Sequence, residues 1–170
     1  GIAFWASRDS IVSNNDICEN LSYESGGGIY CDGIDQEQFL YDSPIVINNV
    51  ITQNHSNGHG GGVTWFEAKD SPLFANNTIT QNDAGQRGGG IKIQYHATLS
   101  IQNCIVWGNR SPEGPQVDTR VQFNEVAIVR YSDVEGGFPG TGNLHADPGF
   151  VTAASGNYRL AFGSPCIDAA

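Results

Sequence analysis

The chain has 170 residues and is 39% hydrophobic, enough for one domain with a real core, which excludes a chain disordered by composition. Charged residues make up only 15%, methionine is absent and glycine reaches 22, a turn-rich and β-leaning composition that excludes a helix-dominated fold. The net charge of −10, with only 8 lysines and arginines, excludes a basic nucleic-acid-binding face; no apolar run of about 18 residues is present to span a membrane.

"GIAFW" (1–5) opens the chain with a short apolar alternation. "IVSNNDICEN" (11–20) follows, two short strands around an Asn-Asn corner, and "ESGGGIYCD" (24–32) sets three glycines before another strand. The same order then recurs as "IVINNVITQN" (45–54) with "GHGGGVTWF" (58–66), and as "LFANNTITQN" (73–82) with "QRGGGIKIQ" (86–94). "LSIQNCIVWGN" (99–109) and a fading copy, "AIVRYSDVEGG" (127–137), continue it. Gly28, Gly62 and Gly90 are 34 and 28 residues apart, and Asn15, Asn49, Asn77 and Asn103 are 34, 28 and 26 apart. Both motifs share one period of about 28 residues. The longer first interval carries its extra residues in "DGIDQEQFLYDS" (32–43). "GIAFW" matches "GIYCD" and "GVTWF", so the chain is expected to open midway through a coil of a longer array.

Short strands joined by Gly/Asn turns at a fixed period predict an all-β fold, a single-stranded parallel β-helix (solenoid) of about five coils of ~28 residues. Residues 1–137 form the coils and 138–170 a C-terminal cap of the same domain. Stacking at about 4.8 Å aligns Ile2, Ile29, Val63, Ile91 and Val117 in one core column. Phe4, Cys31, Trp65, Ile93 and Thr119 form a second column, and Ile17, Ile51, Ile79 and Ile105 a third. Alternation along "SPIVINNVI" turns Ile45, Ile47, Asn49 and Ile51 inward. Asn15, Asn49, Asn77 and Asn103 are expected to form a hydrogen-bonded ladder at a corner. Ser25, His59 and Arg87 precede the successive triplets, which makes His59 a turn residue. In the cap, Phe150, Tyr158, Leu160 and Phe162 are expected to cover the open apolar end. At the other end, exposed strand edges offer a surface for self-association.

The C-terminal stretch "NCIVWGN", "YSDVEGGFPGTGNLHADPGFV" and "NYRLAFGSPCIDAA", together with the repeats, resembles bacterial extracellular right-handed parallel β-helix repeat proteins of the pectate-lyase-like superfamily. The resemblance implies a right-handed solenoid and a secreted or cell-surface setting. That family mixes lyases, hydrolases, adhesins and surface proteins, so activity does not follow from it. Four cysteines without a CxxC argue against zinc. Cys104 and Cys166 could pair, tying cap to solenoid, or remain free thiols.

The outward residues after each triplet are Ala3, Tyr30, Thr64, Lys92 and Asp118, flanked by Trp5, Asp32, Phe66, Gln94 and Arg120. Trp5, Tyr30, Phe66, Gln94 and Arg120 mix aromatic platforms with planar polar groups, a surface suited to a polysaccharide or cell-surface glycan. A lyase would need a base and calcium held by carboxylates; Lys92 with Asp32, Glu67, Asp70 and Asp118 is the one such grouping, with Asp32, Asp70 and Glu67 as metal ligands. A glycoside hydrolase would need two of those carboxylates at a set separation. The bland alternative makes Lys92 a solvated residue. The leading expectation is a non-catalytic extracellular module that binds carbohydrate or builds surface structure. A calcium-dependent lyase or hydrolase fragment, and a self-assembling surface subunit, are the alternatives.

Overall fold

A computed structural model of the chain describes residues 1–5, 10–35, 40–41, 44–68, 73–119 and 123–168. The chain winds as a right-handed parallel β-helix with three long faces. Sheet A stacks Ile2–Trp5, Ile29–Asp32, Val63–Phe66, Ile91–Gln94 and Val117–Thr119. Sheet B stacks Ile11–Ser13, Ile45–Ile47, Leu73–Ala75, Thr98–Gln102 and Val126–Arg130. Sheet C stacks Asp16–Cys18, Val50–Thr52, Thr78–Thr80, Ile105–Trp107 and Asp133–Val134. Every pairing within these faces is parallel, so five rungs enclose four complete turns. The insertion in the first interval closes on itself through a short antiparallel pair, Ile34–Asp35 with Leu40–Tyr41.

The glycine triplets turn the chain into sheet A, and each glycine has its own reason. The first, as at Gly60, has φ +61, a conformation that a side chain disfavours. The second has no room: a Cβ on Gly61 would lie 2.4 Å from the Asp83 carbonyl oxygen and 2.6 Å from that of Gly89. Rung must lie on rung there with nothing between. In the fifth rung Gly114, Pro115 and Gln116 stand in the triplet's place, and Gln116 turns its side chain into the corner.

Two of the expected core columns are found as expected: Ile29, Val63 and Ile91 align in register, as do Cys31, Trp65 and Ile93, all fully buried. The third column departs at its last member. Val106, not Ile105, pairs with Ile79 and faces the core. Along "IVINN" the inward residue is likewise Val46, while Ile45 and Ile47 are only partly buried. The first departure comes from "QNC", where Cys104 and not Asn103 holds the second place of the corner; the second has its cause in the turn itself. The first residue of each Asn-Asn pair is left-handed, with φ 57 at Asn14 and Asn48 and 55 at Asn76. That residue breaks the two-residue alternation, so inside and outside cannot be carried across the corner.

The same corner corrects the ladder. Asn15 donates its backbone N–H and its side-chain amide to Asn49 Oδ1, at 3.0 and 3.1 Å, and Asn49 does the same to Asn77. Asn77 then donates to Cys104 Sγ at 3.4 Å, and Cys104 N–H to Ser132 Oγ at 3.1 Å. Asn103 is not a rung of the ladder: it is exposed, with φ 50, in the left-handed slot of Asn14, Asn48 and Asn76. An asparagine tolerates that slot better than most residues. A second ladder, unforeseen, runs through Asn20, Asn54, Asn82 and Asn109 and closes on Gln116. Each buried amide also donates to a carbonyl of the rung before, as Asn82 does to Ile51 at 2.9 Å.

At the C-terminal end the last rung is covered by residues 138–146. Phe138 packs on the core, Asn143 accepts from Ser132 N–H at 3.1 Å as a final ladder step, and Leu144 pairs with Asp133. The hairpin Phe150–Thr152/Asn157–Leu160 does something else. It lies along sheet C, where Tyr158 accepts from Thr52 Oγ1 at 2.8 Å and donates to Gln81 at 3.0 Å. Phe162 is fully exposed, at 106% relative accessibility, so it covers nothing. All four cysteines are free. Cys104 is spent on the ladder, where burial pushes its thiol up to about 12. Cys166 donates to Asp133 at 3.1 Å instead of pairing with Cys104.

Candidate functional site

The outer face of sheet A is where the repeat stops repeating. Register places Ala3, Tyr30, Thr64, Lys92 and Asp118 in one outward column and Trp5, Asp32, Phe66 and Gln94 in the next. Arg120 and Asp70 lie outside the described residues. From the first rung to the fourth the aromatic side chains touch. Trp5 and Tyr30 have ring centroids 5.6 Å apart, Tyr30 and Phe66 6.4 Å, and Phe66 and Tyr95 4.7 Å. Tyr95 then stacks on Phe123 at 5.0 Å with an interplanar angle of 11°. The result is a continuous aromatic ribbon nearly parallel to the solenoid axis. Trp5 stands 69% exposed at one end. A groove of about 710 Å³ runs beside the ribbon, lined by Trp5, Tyr30, Phe66, Gln94, Tyr95 and the Leu21–Gly27 segment.

Tyr95 and Phe123 were not among the expected residues. Strand alternation ends at Gln94, and Tyr95 and His96 are both left-handed, with φ 50 and 59. A left-handed pair swings the chain back over the face. The only signal for this in the sequence is an aromatic residue immediately after the strand.

The acidic residues divide into two groups. Asp32 and Glu67 act on Tyr30, whose hydroxyl is pushed up to about 12 by burial, by the Asp32 charge and by their mutual hydrogen bond. Asp118 lies on the last rungs with Lys92 and Arg87. Lys92 Nζ donates to Asp118 Oδ2 at 2.5 Å, and Arg87 donates to both carboxylate oxygens at 3.0 and 3.1 Å. Arg87 also pairs with the exposed Glu113. Lys92 is therefore not a solvated residue: it is 2% exposed although it points outward. Glu125, held by the N–H groups of Tyr95 and Phe123 at 3.3 and 3.0 Å, helps to cover it. Burial pulls Lys92 below its ordinary value, against the pull of Asp118. Hydrogen bonds from Arg87 and Lys92 hold Asp118 below its ordinary value, although burial pushes the other way.

Lys92 and Asp118 are thus brought together, Asp32 and Glu67 both act on Tyr30, and the two groups sit on different rungs. Among the described residues no three His, Cys, Asp or Glu side chains converge as a metal site. His59 bridges Ser25 and Arg87 in the expected turn slot, and it also borders a small cavity over Lys92.

No known protein family, curated protein or solved structure matches this chain. The chemistry of the face has to be taken from its own geometry.

Proposed function

We propose that the protein is an extracellular β-helix module that binds a glycan, without turning it over, along the outer face of sheet A. One observation carries this: the unbroken aromatic run Trp5–Tyr30–Phe66–Tyr95–Phe123 beside an open groove. Aromatic rings of this size, exposed or half-buried in a row on a rigid scaffold, are costly to leave in water. A sugar ring offers them a matching apolar face, while its hydroxyls meet Asp32 and Gln94 alongside. The rungs are fixed by ladders and backbone pairing, so the ribbon is organised before the ligand arrives. A secreted or cell-surface location, in a bacterium as the sequence resemblance implies, is part of the same proposal.

The test is affinity electrophoresis and pull-down on a panel of insoluble and gel-cast polysaccharides. Retention by at least one polymer, lost in Trp5→Ala and Phe66→Ala while the folded signal by circular dichroism stays intact, is the expected outcome. Equal retention of both variants would remove the ribbon from the binding site.

A lyase is favoured by one feature, the lowered Lys92 amine. Against it stands the pairing of that amine with Asp118. Incubation with the same polysaccharides, with calcium or with chelator, separates the two roles. Unsaturated product that needs calcium and disappears in Lys92→Ala would replace binding by catalysis.

A further inference from the structure

The ribbon leaves one feature of the face unexplained. A cavity of about 150 Å³ lies over Lys92, between His59, Arg87, Gln94, Tyr95 and Phe123, with Glu125 completing the wall. A cavity of about 150 Å³ holds one six-membered ring and little more. The groove beside the ribbon is several times larger, and Gln94 and Tyr95 line both. A chain lying in the groove therefore meets the cavity at the ribbon's far end.

The Lys92 ammonium at the floor of this cavity is short of acceptors. Among the described residues the Lys92 ammonium has one hydrogen-bond acceptor, Asp118 Oδ2. An ammonium carries three donors, and a buried donor left without an acceptor costs about 1–3 kcal/mol. Among the described residues two donors thus remain for whatever enters. The buried charges around them are balanced: Lys92 and Arg87 face Asp118 and Glu125, and the Glu113 that also pairs with Arg87 stands exposed to solvent. A ligand with its own charge would upset that balance in a poorly solvated place, whereas a neutral ligand rich in oxygen acceptors would not.

We infer that the cavity is the terminal subsite of the groove and holds one neutral pyranose at the end of a glycan chain. Lys92 and Gln94 hydrogen-bond its hydroxyl oxygens, and Tyr95 and Phe123 form its apolar wall. The inference rests on the glycan-binding role proposed above. With room for a single ring, the protein grips chain ends, not the middle of a chain.

Calorimetric titration tests this with neutral hexasaccharides of glucose, mannose, galactose and xylose, with hexagalacturonate, and with the uncut polymer of each. Concentrations are matched in sugar residues. A neutral hexasaccharide is expected to bind, and its polymer, poor in ends, to saturate far fewer protein molecules per residue. Gln94→Ala, a partly exposed position, is expected to weaken the hexasaccharide about tenfold by removing a hydrogen bond. Lys92→Met, checked for folding, is expected to do the same.

Equal titration of hexasaccharide and polymer would overturn end recognition, as would an unaffected Gln94→Ala variant. Preference for hexagalacturonate would overturn the neutral ligand. In each of those cases a polymer still held in a Trp5-dependent way would leave the ribbon's role standing. Failure of every probe to bind would bring down the ribbon's role and the subsite with it.

Discussion

The corners of this solenoid and the outer face of its sheet A are built on the same rungs and obey opposite rules. At the corner, Asn20, Asn54, Asn82 and Asn109 follow one another with the same bonds at each step. On the outer face, Ala3, Tyr30, Thr64, Lys92 and Asp118 share a column and no two are alike. The difference lies in what each side chain must replace. At a corner the backbone turns away from its neighbours, and a side-chain amide takes over the hydrogen bonding of the sheet. On the face the backbone satisfies itself, so the side chain is left for other uses.

Substitutions should separate the two rules clearly. Gly61→Ala drives a Cβ into two carbonyl oxygens of neighbouring segments. It is expected to destabilise by about 3–5 kcal/mol, at the severe end for one residue, or to prevent folding. Chemical denaturation measures this, and a loss below about 1 kcal/mol would mean that the rungs are not in contact there.

Asn82→Ala removes a fully buried amide bonded to Asn109, Thr80 and Ile51. An expected loss of about 3 kcal/mol follows from the groups left unsatisfied. Asn103→Gly, by contrast, should be neutral or slightly stabilising, because Asn103 is exposed and left-handed. Equal losses for the two would put Asn103 back in the ladder.

That pair of asparagines also shows how far the sequence could be read. Triplets and Asn-Asn pairs disclose the period, the sheets and the glycine turns, because those residues are chosen by the backbone itself. The phase across a corner is not disclosed. In "QNC" the pair's second asparagine has become Cys104, and the remaining one, Asn103, occupies the first slot. The site was legible only where strand alternation reaches, at Trp5, Tyr30, Phe66 and Gln94. Tyr95 and Phe123 come over the face from beyond it, and the burial of Lys92 depends on Arg87 and Glu125, which belong to other segments.

Two buried carboxylates extend the contrast to pH. Asp118 on the outer face has its folded pKa depressed below 3.8 by Arg87 and Lys92. Its stabilisation is fully present above that ordinary value and is lost as pH falls through the folded one. Asp133, in the corner region, is raised above 3.8 by burial. Its contribution is fully present below the ordinary value and is lost as pH rises through the folded one. Asp133→Asn is therefore expected to raise Tm at pH 7 by about 2–4 °C. Asp118→Asn should lower it and flatten the acid limb. Thermal melts from pH 3 to 8 check both, and a shift of the same sign in the two variants would contradict the assignment.

A modest loss of stability is expected on the ribbon. Phe66→Ala should cost about 1–2 kcal/mol, because the ring is only partly buried. A loss as large as that of Asn82→Ala would make the ribbon a structural element and weaken its case as a binding surface.

Gln116 occupies the place that a third glycine holds in the rungs before it, and its side chain closes the amide ladder from inside. In the rungs before it a Cβ there would press on the next rung, as on Gly62 at 2.6 Å from the Gly90 carbonyl oxygen. Length then becomes a quantity that can be edited in whole steps: a duplicated stretch running from Val63 to Gly90 would splice in ahead of Gln116, with both of its junctions already glycine-to-strand.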